Sequence, residues 1–277
     1  MLFCEYFNDF MLTIFIMYGG IFRLLVYKYG YITQQDKRSF MDVEYLVQRL
    51  SEEVFVQVWK YIAFPDGRIC EYCNDLNGKK YPYHTSHKPN PPVHANCRCY
   101  YELQKIPYDG KKSATLTGFA GEARYIINEF TFDTDNNGRV IKASGRLQGI
   151  SGIRNPRNQM RAAAWGRSGD EGGHLIPAKY GGPGHLLNTL PQARNVNRST
   201  IKKIENEMGR HLKNGTIVEY TVKPVYPNPI ARRPDMFIVR YKINNVVEER
   251  IIKNDYRYKF QRRNRKDRCN IFIKNSK

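Results

Sequence analysis

The stretch from Asp170 to Glu207 constrains this chain more than any other part of it. It reads DEGGHLIPAKYGGPGHLLNTLPQARNVNRSTIKKIENE, so a histidine behind two glycines is followed by a glycine-rich turn and an asparagine-dense loop. A short amphipathic segment that carries an acid comes next. This layout is typical of a site in which a neutral imidazole takes a proton from water while a single cation holds a phosphate.

A helix is predicted in the second half of this stretch. Four apolar residues recur there at helical spacing, namely Ile201, Ile204, Met208 and Leu212. Ser199 or Thr200 can cap the start of the helix, and Gly215 is expected to end it. Asn197 then falls just before or within the first turn, where its side-chain oxygen can reach a cation beside the helix N-terminus. Glu205 follows two turns later, roughly on the same side of the helix.

These residues resemble the DNA/RNA non-specific endonucleases of the ββα-metal superfamily, in particular the branch found in bacterial toxins. GGHLIP matches the strand end that bears the general base, GGPGHLLNTLPQ the second strand and its loop, and NVNRSTIKKIENE the metal-binding helix. The resemblance implies that His174 is the general base, Asn197 the metal-ligand asparagine and Glu205 the water-holding acid. The spacing of the last two, 205 minus 197 or eight residues, is that of the family.

The resemblance also implies contacts to the substrate. Asn188 and Gln192 occupy family positions in the second strand and its loop, and we expect them to bind substrate. Many relatives carry an arginine two positions before the histidine, whereas this chain has Gly172 there. The cation that binds the phosphate is therefore expected elsewhere, and the candidates are Arg161, Arg167 and Arg198.

The charge of the chain indicates a polyanionic partner. Its 277 residues include 45 lysines and arginines against 26 acids, for a net charge of +19. Cationic surface attracts a phosphate backbone through counterion release, independently of base sequence. The same charge would also suit a generic basic protein. An aromatic content of 13% favours a packed core over a mainly disordered chain.

A cluster of cysteines and histidine precedes this region. The segment from Trp59 to Leu103 holds four of the six cysteines, in a CEYC motif at 70–73 and a HANCRC motif at 94–99. Two ligand pairs separated by a loop are typical of a structural zinc site, and the candidate ligands are Cys70, Cys73, His94, Cys97 and Cys99. Which of the last three completes the site stays open. A disulfide pair and reduced, unligated thiols are the competing interpretations.

The same segment resembles the C-terminal portion of the Mu-type phage head-morphogenesis family, also called MuF or minor capsid proteins. The string W…D.R.C..C…G…PP.H..CRC is present from Trp59 to Cys99, although residues 1–58 are too few to hold the rest of that domain. MuF domains precede toxin domains in polymorphic toxins of temperate phages. The resemblance therefore implies phage head or portal proteins as partners. A toxin also needs a protector, for which we expect an acidic immunity protein because opposite charge gives fast capture.

The remaining segments are interpreted from their periodicity. Residues 10–27 form the most apolar run, but Arg23 interrupts it, and it lacks the basic start and cleavage site of a signal peptide. We interpret it as packing surface and expect no stable membrane span. Apolar spacing predicts a core helix from about Phe40 to Tyr61. From Tyr125, period-two alternation and an Asn137-Gly138 turn predict a β-hairpin. Further strands are predicted at Ile217–Val225, Met236–Ile243 and near Val246–Ile252.

These patterns predict an α+β chain. A small helical module with a Cys/His zinc-like knuckle is assigned to residues 1–103, a linker to 104–119, an antiparallel sheet carrying a ββα-metal nuclease finger to 120–260, and a basic tail to 261–277. The predicted activity is hydrolysis of phosphodiester bonds in DNA, with RNA as an alternative substrate, with one catalytic Mg²⁺ and a structural Zn²⁺. The alternative is a phage minor capsid protein whose nuclease-like domain is inert. The expected location is the cytoplasm or the virion, with delivery into a target cell as a further expectation.

Overall fold

An antiparallel sheet runs through most of the chain in the computed structural model, which describes residues 52–64 and 68–256. Its strands among these residues are β1 (Val54–Ile62), β2 (Lys80–Pro82), β3 (Tyr100–Pro107), β4 (Arg124–Ile127), β5 (Phe130–Thr134), β6 (Val140–Arg146), β9 (Val218–Val225), β10 (Met236–Ile243) and β11 (Val246–Lys253). Their order across the sheet is β11-β10-β9-β6-β5-β4-β1-β2, and β3 pairs with β1. The pairings are antiparallel throughout.

Strand β1 corrects the helix that was predicted from Phe40 to Tyr61. The part of that prediction before residue 52 lies outside the described residues. Val54–Ile62 is extended and reads VFVQVWKYI, with every position at least partly buried. A strand that is covered on both faces is apolar at most positions, so periodicity alone does not distinguish it from a buried helix.

β1 also joins the cysteine-bearing segment to the rest of the sheet. One edge of β1 pairs with β3, and the other edge pairs with β4 at its start and with β2 near its end. Beside these strands, Asp133 of β5 binds Arg124 at 2.6 Å and His84 at 2.9 Å. Among the described residues, the regular structure of this segment is β1, β2, the start of β3 and one short helix, α1 (Glu71–Leu76), and loops make up the rest, so the prediction of a small helical module is wrong there.

The stretch predicted as a linker, residues 104–119, packs against the sheet. Strand β3 runs on to Pro107, and the ring of Tyr108 lies 5.3 Å from that of Tyr125. Phe119 is buried in the main core. The polar and glycine-containing composition of this stretch predicted a linker, although its aromatic residues pack against the sheet. The boundaries between the functional modules remain a prediction.

The strand predictions in the second half of the chain are confirmed. The β5–β6 hairpin turns at Gly138, whose φ is 73°, as the Asn137-Gly138 pair predicted. Strands β9, β10 and β11 lie within one residue of their predicted bounds. In β9, buried Val218, Tyr220 and Val222 alternate with more exposed residues, which gives the strand one core face and one polar face.

A hairpin and a helix are mounted on this sheet. Strands β7 (Asp170–His174) and β8 (Thr189–Ala193) pair antiparallel, and α3 (Lys202–Lys213) follows. Helix α2 (Pro156–Ala163), capped by the side chain of Asn155, packs against both strands of the hairpin. This is the predicted ββα arrangement. In the part of the chain that the structure describes, no helix has the length and apolarity to cross a membrane.

The start of the helical segment differs from its prediction. Val196–Ile201 forms a turn of π-helix that continues directly into α3, so neither Ser199 nor Thr200 caps the helix. Ser199 instead donates its hydroxyl to the carbonyl of Asn195. The end agrees with the prediction, because Gly215 follows the helix with a φ of 71°. The π-turn carries Asn197, and such turns are frequent at functional sites.

Buried polar contacts hold the open end of the β7–β8 hairpin against the sheet. Arg233, just before β10, binds both carboxylate oxygens of Asp170 at 2.6 and 3.1 Å. Asn254, just after β11, accepts a hydrogen bond from the N–H of Ala193 at 2.8 Å and donates one to the carbonyl of Pro191 at 3.0 Å. Because Asp170 and Ala193 are paired across the hairpin, these contacts fix both of its strands.

Candidate active site

The end of β7 and the π-turn with α3 enclose a cleft of about 550 Å³. His174, Asn197 and Glu205, the predicted base, metal ligand and acid, all line this cleft. Its other charged lining residues are Arg154, Asp170, Glu171, Arg198 and Lys202. The structure thus brings together three side chains that are spread over thirty-one residues of sequence, 205 minus 174. The roles assigned to them remain predictions.

The two glycines before His174 are required by close packing. A Cβ atom at Gly172 would lie 2.1 Å from the carbonyl oxygen of Gln159 in α2, and one at Gly173 would lie 2.2 Å from the side chain of Gln192. The Gln159 side chain also donates a hydrogen bond to the Gly172 carbonyl at 3.2 Å. An arginine at position 172, as in many relatives, is therefore incompatible with the observed position of α2.

His174 is held as a neutral imidazole. Burial, assisted by the positive charge of Arg154, lowers the pKa of His174 to about 4. Its Nε2 atom is buried, and no hydrogen-bond partner for it is found within the described residues. Buried polar atoms in proteins nearly always have partners, so an unpartnered ring nitrogen in a cleft is consistent with a reactive group.

The amide of Asn197 has a fixed orientation. Its Nδ2 donates to Oε2 of Glu171 at 2.9 Å, and an ionised carboxylate only accepts hydrogen bonds. The Asn197 oxygen is therefore left for another partner, as a metal ligand requires. Burial acts to raise the pKa of Glu171, but hydrogen bonds from Arg198 and Asn197 outweigh it and hold the pKa below its ordinary value.

Glu205 lies half-buried in the same cleft. Burial raises the pKa of Glu205 above its ordinary value, although nearby cations, among them Lys202 and Arg154, act in the opposite direction. Arg154 lowers the pKa of both His174 and Glu205 and therefore lies close to both side chains. The carboxylate of Glu205 and the amide oxygen of Asn197 lie in one cleft, and such oxygen donors suit a hard cation such as Mg²⁺.

The cations of the cleft are partly those that were predicted. Arg198 lines it, but its guanidinium binds Glu171 at 2.6 Å. Arg161 and Arg167 are exposed and do not line it. Arg154 and Lys202 do line it; the position of Arg154 just before the histidine favours phosphate contact, whereas the sequence did not point to Lys202. Arg154 belongs to a run of arginines before β7, and nothing in that run distinguishes the one that faces the cleft.

Asn188 and Gln192 contradict the prediction that they contact substrate. Asn188 is fully buried, and its amide bonds both the N–H and the carbonyl of Ile176 as well as the carbonyl of Pro183. Gln192 is 1% exposed and lies against Gly173. The Asn188 side chain thus holds the loop that follows His174, while Gln192 packs against the strand just before it.

His185 is also structural. Its Nδ1 accepts a hydrogen bond from the N–H of Leu187 at 3.3 Å, and its ring lies 5.7 Å from that of Phe119. Burial lowers the pKa of His185 to about 4, and the nearby Arg161 adds to this effect. His185 does not line the cleft that holds His174.

The cysteine-bearing segment forms a separate candidate metal centre. Two overlapping groups have all ligand atoms within 4.8 Å of one another: Cys70 with Cys73 and His94, and Cys73 with Cys97 and Cys99. All four thiols are free, so the disulfide interpretation is not supported. The Nε2 atom of His94 lies 3.1 Å from the sulfur of Cys70 and 3.1 Å from that of Cys73. Its Nδ1 lies 2.8 Å from the carbonyl of Ala95, which fixes the ring.

The segment that builds the cleft matches a known protein family. Residues 122–245 match the family model of the DNA/RNA non-specific endonucleases. This span begins just before β4 and ends between β10 and β11, so it contains the hairpin, the cleft and helix α3. The endonuclease resemblance noted in the sequence is confirmed for this span. The MuF resemblance remains a prediction.

The individual proteins that resemble this chain share low sequence identity with it or match only a part of their own length. The Type VII secretion system protein EssD of Staphylococcus aureus (strain USA300) is 30% identical over 130 residues, which are 44% of this chain but 21% of that protein. The chain thus corresponds to a small part of that relative. Among solved structures, NucA from Streptococcus agalactiae with magnesium ion bound has a TM-score of 0.37 and 17% identity over 48% of this chain and 81% of that one. Sda1 nuclease with bound zinc ion has a TM-score of 0.38 and 15% identity over 46% and 76%. These scores are too low to establish a shared fold.

Proposed function

We propose that this chain is a metal-dependent nuclease that hydrolyses phosphodiester bonds of DNA without sequence preference, with RNA as an alternative substrate. The observation that carries the proposal is the cleft in which His174, Asn197 and Glu205 meet, within the span that matches the endonuclease family. The net charge of +19 supports a polyanionic substrate.

His174 serves as the general base in this proposal. Its Nε2 takes a proton from a water molecule, whose oxygen attacks the phosphorus while the bond from phosphorus to the leaving oxygen breaks. Because the pKa of His174 is lowered to about 4, the imidazole is free of a proton throughout the physiological pH range. A positioned general base accelerates such reactions by about 10² to 10⁴.

Asn197 and Glu205 are the residues that would hold the catalytic cation, Glu205 through a bound water. Mg²⁺ fits this donor set, since it prefers oxygen ligands, keeps several of its own waters and needs few groups from the protein. When bound, the ion stabilises the negative charge that develops on the phosphate and the leaving oxygen. Glu171 is a positioning residue, because it orients the Asn197 amide.

Arg154 and Lys202 are the proposed phosphate-binding cations. Both line the cleft, and Arg154 acts on His174 and Glu205 together. Arg154 thus replaces the arginine that many relatives carry two positions before the histidine. Contacts to phosphate carry no information about bases, which agrees with cleavage that ignores sequence.

Plasmid nicking tests this proposal. The chain should nick and then linearise a supercoiled plasmid in Mg²⁺, and should stop when the metal is removed with EDTA. The rival proposal is a structural minor capsid protein with an inert nuclease-like domain. A folded chain that leaves the plasmid intact with Mg²⁺, Mn²⁺ and Ca²⁺ alike would favour that rival.

We also propose that the chain acts as a toxin that is delivered to a target cell. The similarity to a type VII secretion system protein supports delivery, and the resemblance of residues 59–99 to MuF proteins supports a phage-borne toxin. Its producer then needs an acidic immunity protein that covers the cationic cleft. Expression of the chain alone should arrest growth, and co-expression of a neighbouring reading frame should restore it. Harmless expression of a chain that cleaves DNA in vitro would contradict the toxin proposal.

The Cys/His centre is proposed to bind one structural Zn²⁺. A structural Zn²⁺ takes four ligands, and five candidates lie together here, with Cys73 in both overlapping groups. Cys73 is therefore the ligand common to every arrangement, while the choice among His94, Cys97 and Cys99 stays open. Protein purified without added metal should contain about one zinc per chain.

A further inference from the structure

A second cleft adjoins the candidate active site, and we call it the basic side cleft. It has a volume of about 360 Å³, and its polar lining residues are Ser151, Lys179, Tyr180, Asn206, Arg210 and Lys213. Consecutive residues line the two clefts: Ala178 faces the active site and Lys179 the side cleft, and likewise Glu205 and Asn206. A helix with its side chains is about 10–12 Å across, so the clefts are separated by about that distance at most.

Three cations line the basic side cleft, and the charge of one of them, Lys179, also acts on Glu205 of the adjoining cleft. Lys179, Arg210 and Lys213 line it, and its lining contains no carboxylate. The ion pairs recorded among the described residues involve none of these three cations. In the active-site cleft, by contrast, Glu171 pairs with Arg198. The side cleft is therefore suited to an anion.

A buried hydroxyl points to a specific ligand atom. Tyr180 is 5% exposed, and its Oη atom has no hydrogen-bond partner in the described part of the chain. It lies against Gly209 of α3, where a Cβ atom would approach it to 2.0 Å. A buried hydroxyl without a partner is costly, so an acceptor oxygen supplied by a ligand would satisfy it.

We propose that the basic side cleft binds a second phosphate of the nucleic acid strand, a few nucleotides from the bond that is cut. This inference rests on the proposed nuclease function. Lys179, Arg210 and Lys213 supply the charge, and Tyr180 donates a hydrogen bond to a phosphate oxygen. One strand of a duplex has a charge about every 3.4 Å of axis, so a separation of about 10 Å corresponds to about three nucleotides. The subsite raises affinity for longer strands and adds no base preference.

Binding measured without cleavage tests the subsite. In the His174→Ala background, the affinity for a fluorescent 12-nucleotide single strand is followed by anisotropy from low to high salt. Each phosphate contact on a single strand contributes about 0.7 to the slope of log affinity against log salt. Arg210→Ala/Lys213→Ala should reduce the steepness of that slope by about 0.7 and weaken binding at low salt by at least about 10-fold.

Lys223→Ala/Lys253→Ala is the matched control. These exposed lysines of β9 and β11 line neither cleft, and their removal changes the net charge by the same amount. The control should keep the parent slope. Equal changes in both double variants would show general attraction by net charge and would overturn the subsite, as would no change in Arg210→Ala/Lys213→Ala.

Tyr180→Phe tests the hydroxyl separately. It removes one oxygen that makes no hydrogen bond to any of the described residues, so the thermal midpoint should stay the same or rise, while binding weakens about 2- to 10-fold. Unchanged binding would remove the hydroxyl from the site. A wild-type chain that cleaves DNA but shows none of these effects refutes the subsite alone, whereas a chain that cleaves no nucleic acid refutes the proposed function itself.

Discussion

Among single residues, Glu171 connects the two sides of the cleft. It binds Arg198 at 2.6 Å and accepts a hydrogen bond from the Asn197 amide at 2.9 Å. The sequence does not point to Glu171, since side chains alternate along a strand and positions 171 and 174 fall on opposite faces of an ideal one. His174 ends β7, where that alternation no longer has to hold, so both side chains reach the same cleft.

Glu171→Gln should lower the affinity for Mg²⁺ more than it lowers the maximal rate of cleavage. A neutral amide no longer binds Arg198 as an ion pair and no longer requires Asn197 to face it with Nδ2. The Mg²⁺ concentration for half-maximal cleavage should rise by about 10- to 100-fold, the usual effect of losing a group that orients a ligand. Cleavage rates measured across a Mg²⁺ titration give this value.

Asn197→Ala is the comparison, since it removes the ligand itself and should lower both Mg²⁺ affinity and the rate at saturating metal. A Glu171→Gln chain with the wild-type Mg²⁺ midpoint would show that the carboxylate does not position Asn197.

His185 makes stability depend on pH. Its pKa is about 4 in the folded chain and about 6.5 when unfolded, so the unfolded state takes up a proton first as the pH falls. The contribution of neutral His185 to the free energy of unfolding is fully present above about pH 6.5 and is lost progressively as the pH falls to about 4. His185→Asn keeps an acceptor for the Leu187 N–H but does not titrate.

Urea unfolding at pH 7 and pH 4.5 measures this effect. Wild type should lose about 2–2.5 kcal/mol more than His185→Asn between the two values. Equal losses in the two proteins would contradict a lowered pKa for His185.

At the scale of secondary-structure elements, the contact between β7 and α2 fixes the width of the cleft. A Cβ atom at Gly172 would lie 2.1 Å from backbone of α2, and backbone cannot move aside as a flexible side chain can. Gly172→Ala should therefore destabilise the chain by about 1–3 kcal/mol and displace α2, with a loss of activity. Gly149→Ala is the control. Open space surrounds a Cβ atom at that position, so the stability of this variant should differ little from that of wild type. Denaturant midpoints of the two variants compare them, and equal values would refute the close contact.

The elements that sequence predicted well are those with one buried face. Strands β9, β10 and β11 alternate core and solvent positions, and α3 places Ile204 and Met208 inward at helical spacing. β1 was predicted as a helix because both its faces are covered and the alternation is lost. The π-turn before α3 was missed since Ser199 and Thr200 look like caps, and only the tertiary structure shows the helix beginning earlier.

Chemistry and family spacing predicted that His174, Asn197 and Glu205 lie together, and they line one cleft, while their roles remain predictions. Spacing did not separate residues that touch substrate from residues that hold the loop, so Asn188 and Gln192 were assigned to substrate although both are buried. The run of arginines before β7 was expected to favour phosphate contact, but only tertiary packing shows that Arg154 is the member of that run that lines the cleft.

At the scale of the whole molecule, the described residues from Val54 onward form one compact unit. β1 pairs with β3 on one side and with β4 on the other, and Asp133 links β5 to His84 of the cysteine-bearing segment. The segment proposed to bind zinc and the endonuclease-family segment therefore share one sheet. We expect them to unfold together.

Zinc removal should lower the stability of both segments at once. The chain has two tryptophans, Trp59 in β1 and Trp165 just after α2. In Trp165→Phe, fluorescence reports on β1 alone, while circular dichroism reports on the whole sheet. Chelation of zinc should lower both thermal midpoints together by at least about 5 °C. Separate transitions would contradict the shared sheet. If the purified chain contains no zinc and the chelator leaves both midpoints unchanged, the zinc proposal is wrong.

The most direct test of the proposed activity compares His174→Ala with His185→Asn in plasmid cleavage at saturating Mg²⁺. Both variants remove an imidazole with a lowered pKa, but only His174 lines the cleft with Asn197 and Glu205. His174→Ala should lower kcat/KM by about 10² to 10⁴ with nearly the wild-type Mg²⁺ midpoint, and His185→Asn should cleave at close to the wild-type rate. Circular dichroism confirms that both variants are folded. A folded His174→Ala chain that cleaves DNA as fast as wild type would contradict the assignment of His174 as the base.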